Sequence, residues 1–263
     1  MKKRPYTLLL AACCLAITQF ASADNAAEKG RKIFEENKGA VVTVLLVINT
    51  KFSAPGRASQ EFEAKAEATG TVINADGLTV VSLSKVDPSA LYDLMQPDAG
   101  GTNYETEVRD AKILMEDNTE IDASVILRDR ELDMAFVRPK KKEETDFKYI
   151  DFTNSGEPEL LDEVITINRL GQVSRRAHAA SVERIDAIVR KPRTFFIPGN
   201  NPTNTEMGSP AFTLDGKVVG VLLIRAIKSS GGTAGNPSQN VTQMFLPAED
   251  VLEAATQAPA FEE

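Results

Sequence analysis

Proton transfer near neutral pH is most often the work of histidine, and this chain of 263 residues holds one, His178. Every histidine-dependent mechanism therefore stands or falls on that residue, and a multi-histidine metal site is excluded. Thiol chemistry is confined to Cys13 and Cys14. Asp117-Asn118-Thr119-Glu120 has oxygen ligands of the kind calcium takes, but it lacks the spacing of an EF-hand loop and reads as a hairpin turn. No glycine motif for phosphate is present, and the residues ask for no cofactor or metal. His178 stands in Arg175-Arg176-Ala177-His178-Ala179-Ala180, a strand-like context that suits a structural histidine.

Charge narrows the partners. Lys plus Arg number 30 against 38 Asp plus Glu, a formal net charge of -8. Such a surface repels phosphate backbones, so nucleic acid is not expected as a ligand. Arg175-Arg176 and Lys140–Lys142 are too small to make a basic patch and read as solvated strand ends. Asn240-Val241-Thr242 matches a glycosylation sequon.

The N-terminus reads as an export signal. Lys2, Lys3 and Arg4 precede an apolar stretch from about Leu8 to Ile17, and Ala21-Ser22-Ala23 offers a small-x-small cleavage site before Asp24. That stretch is too short for a membrane span. Cleavage there removes both cysteines, which excludes disulfides and thiolate nucleophiles. Leu10-Ala11-Ala12-Cys13 resembles a lipoprotein box, so lipidation at Cys13 is the alternative.

The elements that must position any site are mostly strands. Residues Asn25–Asn37 read as a short helix with Ile33 and Phe34 its bulky pair, a candidate surface for association. Ala40–Ile48 is a β-branched and aliphatic run, a central buried strand. Asn49–Ala68 reads as a long surface loop. Hairpins follow at Ala75-Asp76-Gly77, Asp117-Asn118 and Leu214-Asp215-Gly216, with an irregular insertion over Pro88–Val108. Short strands fit Met134–Arg138, Glu163–Asn168, His178–Arg184, Ala187–Arg190 and Met244–Leu246, and a helix opens at Pro247 and runs to about Ala255. Pro139–Lys142 reads equally as a linker between two halves or as a strand end. Short strands at this spacing, with helices at the ends, predict an all-β sandwich or pair of barrels.

Four local patterns, in order, resemble the HtrA-type (Do-like) trypsin-fold serine endopeptidases of the bacterial cell envelope. They are Thr69–Leu78 around the first Asp-Gly turn; Val125–Asp129 with Leu132–Val137; Ser209–Val221; and Phe245-Leu246-Pro247 with its helix. The resemblance covers about Gly39 to Ala255. It implies an all-β, trypsin-like double β-barrel with short N- and C-terminal helices and a cleft between the barrels. The corresponding division is 1–23 signal peptide, 24–38 helix and linker, 39–140 first barrel, 147–255 second barrel and C-terminal helix, and 256–263 tail. The PDZ domains into which family members usually continue are not expected.

Carried over residue by residue, the resemblance places Ser84 at the family's histidine, Asp133 at its aspartate and Met207 at its nucleophilic serine. A hydroxyl is no proton acceptor at neutral pH, and a thioether has no proton to lose. The oxyanion region corresponds to Thr205-Glu206-Met207, where Thr205 replaces a glycine and Glu206 brings a negative charge. Losing serine or histidine alone costs a triad enzyme about 10⁶ in turnover, so the resemblance implies an exported, proteolytically inactive homologue in the periplasm or secreted. Such a chain would bind a peptide or protein in the interdomain cleft; oligomer formation is left open. The alternative is an active endopeptidase with Ser209 as a displaced nucleophile and a lysine base, Lys85 being nearest. Ser84 and Lys85 would then point to opposite faces of a strand end. With no imidazole to orient, Asp133 is expected to accept a hydrogen bond from Ser84.

Overall fold

A computed structural model describes residues 26–89, 92, 103–199, 206–226 and 241–261. The export signal, Cys13, Thr205 and the sequon's Asn240 lie outside these residues. Twelve strands form two closed antiparallel barrels of six, in the orders β1-β2-β3-β6-β5-β4 and β10-β11-β12-β9-β8-β7. This is the double barrel that the resemblance implied, and one of the two all-β forms that the strand spacing allowed.

The first barrel comprises β1 (Val41–Ser53), β2 (Gln60–Val72), β3 (Thr79–Ser82), β4 (Asn103–Leu114), β5 (Glu120–Asp129) and β6 (Met134–Pro139). The second comprises β7 (Glu163–Arg169), β8 (His178–Val189), β9 (Phe195–Pro198), β10 (Pro210–Thr213), β11 (Val218–Ala226) and β12 (Val241–Pro247). Helix α1 covers residues 26–37, α2 is the single turn Leu83–Val86, and α3 is Ala248–Ala255. The turn between β2 and β3 shows why the hairpins close where they do. Gly77 sits at φ 84°, a left-handed conformation that glycine adopts without steric cost, while the Leu78 N–H donates to the Asn74 side chain at 2.9 Å.

Apolar side chains of both barrels fill one continuous core, in which Phe136 and Ile113 of the first barrel join Ile167 and Phe212 of the second. Polar contacts add to that seam. His178 begins β8 and its Nε2–H donates to the Val41 carbonyl of β1 at 2.9 Å. The Arg169 guanidinium donates to the Leu114 carbonyl at 2.9 Å, and Arg176 forms an ion pair with Glu67. The histidine thus joins the barrels, and burial pushes its pKa below the ordinary 6.5, opposed by the Val41 hydrogen bond.

Several local expectations need correcting. Asn49–Ala68 is not a loop: β1 continues to Ser53 and β2 starts at Gln60, paired from Phe52↔Gln60 onward. The strand signal there is an alternation of Phe62, Ala64, Ala66 and Ala68 with charged residues, muted because alanine has little β preference. Likewise β4 begins at Asn103, inside the stretch read as irregular. His178–Val189 is one strand with a register shift between Ile185 and Ala187, not two strands. Ser84 and Lys85 lie in the helical turn α2 rather than on a strand end. Ile33 is buried in the common core, 4% exposed, so it packs α1 onto its own chain and is not a free surface for association.

Candidate functional site

Three residues separated in sequence meet where the barrels face each other. Asp133 comes from the turn before β6, with φ 53°, an unusual backbone for a non-glycine residue. Its own carbonyl accepts the Leu83 N–H at 2.8 Å, which ties this turn to the start of α2. Ser84 stands in α2. Met207 stands in the loop before β10, its sulfur 3.9 Å from the hydroxyl oxygens of both Ser82 and Ser84. The positions Ser84, Asp133 and Met207 are therefore brought together.

The carboxylate of Asp133 is enclosed by donors. Oδ1 accepts the Ser84 backbone N–H at 2.7 Å. Oδ2 accepts the Ser82 hydroxyl at 2.7 Å and the Ile224 backbone N–H of β11 at 3.0 Å. The Ser84 hydroxyl reaches Oδ2 only at 3.5 Å, while it lies 2.7 Å from the Ser82 hydroxyl. Ser84 does contact Asp133, as expected, but chiefly through its backbone. The short hydroxyl contact belongs to Ser82, which the sequence reading missed. The available signal was proximity alone, Ser82 being the last residue of β3 and two positions before Ser84. Burial pushes the Asp133 carboxyl above its ordinary value of 3.8, and the hydrogen bonds from Ser82, Ile224 and Ser84 oppose that rise.

The neighbouring loop is held to the first barrel. The Thr71 hydroxyl donates to the Gly208 carbonyl at 2.7 Å, and the Gly208 N–H donates to the Leu222 carbonyl at 2.7 Å. Gly208 has φ 95° and a Cβ there would lie 2.0 Å from the Thr69 carbonyl oxygen, so only glycine fits. Ser209, the displaced-nucleophile candidate, is 0% exposed. Among the described residues its hydroxyl has no hydrogen-bond partner. Lys85 Nζ lies 3.4 Å from the Glu206 carboxylate, so the nearest lysine pairs with an acid rather than with a serine.

A cavity of about 110 Å³ opens beside Lys85 and Glu206, between Thr69 of β2 and Arg169 of β7. The larger hollow, about 830 Å³, is lined by the segment 141–148 and the β4–β5 turn and holds none of the residues above. Over Ile224–Ala226, β11 pairs only with β12 among the described residues; on its other edge the Ile224 N–H is taken by Asp133, and no strand pairs with the rest. No group of three or more His, Cys, Asp or Glu able to hold a metal occurs among the described residues. None of their helices is long and apolar enough to cross a membrane.

A family model described as a trypsin-like peptidase domain matches residues 68–221, from the second half of β2 into β11. The match encloses Ser84, Asp133 and Met207. No curated protein matches the chain.

Proposed function

The chain belongs to the trypsin-like peptidase domain family, and within it we propose an exported, proteolytically inactive homologue, related to the HtrA type, that binds an extended peptide or protein segment between its barrels. The observation that carries this reading is the state of Asp133. In a working triad, that carboxylate holds an imidazole in the right tautomer. Here its lone pairs accept from Ser82, Ser84 and Ile224. At the nucleophile's position a thioether rests against the same two hydroxyls. The cluster holds no imidazole to carry the proton, and the group at the nucleophile's position is a sulfur with no proton to lose.

Binding is favoured over small-molecule chemistry by the shape of the cleft. A cavity of about 110 Å³ is small against the roughly 300–1,000 Å³ of pockets that enclose drug-sized ligands. An open strand edge needs no deep pocket, because backbone hydrogen bonds supply affinity and alternate side chains supply selectivity. The segment Ile224–Ala226 offers that edge beyond the Ile224 N–H, which Asp133 holds. Export rests on the Lys2–Ala23 signal pattern and places the chain in the periplasm or outside the cell, with lipidation at Cys13 the alternative.

The competing reading is an active endopeptidase using Ser209 and a lysine. Complete burial of Ser209 and the Lys85–Glu206 pair weigh against it. The test is casein proteolysis and fluorophosphonate labelling of the chain from Asp24 onward, with Ser209→Ala as control, alongside titration with a library of extended peptides. We expect neither turnover nor label, and saturable peptide binding. Turnover lost in Ser209→Ala would overturn inactivity, and a library without a binder would overturn the binding role.

A further inference from the structure

β1, β2 and β4 run on past the first barrel as a three-stranded arm. Over 60–69, β2 pairs with β1 on one side, while β3 meets it only at Gly70–Val72. Among the described residues the outer edge of β2 is therefore unpaired and exposed from Gln60 to Glu67, before Ala68 and Thr69 are buried. The arm has two unlike faces. The register places Phe62 and Ala64 on the face of Thr50 and Ile48, and Glu61 and Glu63 on the face of Lys51 and Asn49. Phe62 is 56% exposed, the most exposed phenylalanine among the described residues.

An open edge is a template for another strand, and scattered charges are the usual means of blunting it. Here the charges do not simply repel a second strand; they fit one running the other way. Laid antiparallel on itself about Ala64, the segment Glu61–Glu67 sets Glu63 opposite Lys65 twice, once on each side of the axis. Neither side chain has an ion-pair partner among the described residues. On the apolar face the same register sets Phe62 opposite Ala66, a large ring over a small side chain, with Ala64 beside it. The remaining pair, Glu61 opposite Glu67, would repel, but Glu67 is already neutralised by Arg176. Beyond Glu67 the strand turns inward, Ala68 being 3% exposed, so the pairing has a natural end. The other edge of the arm, at β4, is less suited. Tyr104 there already stacks on Tyr92 with ring centroids 5.1 Å apart.

We infer that the β2 edge Glu61–Glu67 is a self-association surface whose partner is the same segment of a second copy of this chain, joined antiparallel about Ala64 into a six-stranded sheet. A two-fold axis through Ala64 makes the contact isologous and closed, so it yields a dimer and not a fibre. The cleft between the barrels takes no part, and the inference stands independently of peptide binding there.

The test is the solution mass of the full-length expression product by sedimentation or light scattering. The unaltered chain is expected at twice the monomer mass. Lys65→Glu sets acid against acid on both sides of the axis and halves that mass. Adding Glu63→Lys to Lys65→Glu recreates the opposite-charge pairs with their order reversed and returns the mass to the dimer value. Both sites are exposed, so circular dichroism confirms that each variant is folded before its mass is read. A monomer at every concentration overturns the inference and leaves the edge for a different protein. So does a dimer indifferent to Lys65→Glu, or one the second substitution does not restore.

Discussion

The Ser82 hydroxyl donates to Asp133 across 51 positions of sequence, at 2.7 Å, and so occupies a lone pair that a triad imidazole would use. Ser82 ends β3 and Asp133 lies in the turn before β6. The antiparallel pairing of those strands, Ser82↔Met134 at its end, delivers the hydroxyl to the carboxylate. Ser82→Ala should therefore cost more stability than Ser84→Ala, whose backbone donor survives. The expected loss is about 1–3 kcal/mol for Ser82→Ala and less for Ser84→Ala. Urea midpoints of the two variants check the order.

Asp133→Asn should destabilise by about 1–3 kcal/mol, because a backbone N–H faces each oxygen: Ser84 at Oδ1 and Ile224 at Oδ2. Whichever way the amide turns, its NH₂ meets a donor. The size of the loss should also depend on pH. Burial raises the folded pKa of Asp133 above 3.8. The stability this group contributes is then fully present below 3.8 and is lost as pH rises through the folded value. The deficit of the variant should be largest in acid and shrink on going towards neutrality. Paired denaturation curves across that range read it out.

His178 should act in the opposite sense. Its folded pKa is depressed below 6.5 by burial, so its contribution is present above 6.5 and is lost as pH falls through the folded value. His178→Gln preserves an N–H able to reach the Val41 carbonyl and removes the titration. Its stability should fall less than that of the unaltered chain as pH drops below 6.5, measured by thermal unfolding.

Gly208→Ala should prevent the native loop from forming. The added Cβ would meet the Thr69 carbonyl oxygen at 2.0 Å, and the residue would need φ 95°. Backbone strain and the steric conflict together should cost about 3 kcal/mol or more. Gly56→Ala, whose Cβ meets nothing within 4 Å, gives the comparison for the loss of a positive-φ glycine alone. Thermal melts should separate the two widely.

Lys85→Ala should change stability by no more than about 1 kcal/mol, since the pair with Glu206 is partly exposed and such pairs contribute little. A larger loss in the melting curve would assign the pair a structural role in closing the cleft.

Much of the double barrel was legible in local chemistry. The Asp76-Gly77 and Asp215-Gly216 turns, with both glycines at positive φ, and the β-branched run through Val41–Ile48 are local preferences that can be read from the residues themselves. The arm β1–β2 was not legible, because alanine at alternating positions leaves the period-two pattern nearly silent.

At the site the division is sharper. The amino-acid sequence alone determined which groups exist: one histidine, a carboxylate at Asp133, a thioether at Met207, and no thiol beyond Cys13 and Cys14. Those facts bound the chemistry whatever the fold. Closure of the two barrels decided what those groups do. It turned His178 towards Val41 and put Ser82 rather than Ser84 in the short hydroxyl contact with Asp133. It also buried Ser209 completely and aimed the Ile224 N–H at the same carboxylate. Each of these depends on register and burial between segments tens of residues apart, and those are set by packing two closed sheets together, not by the preference of any one segment.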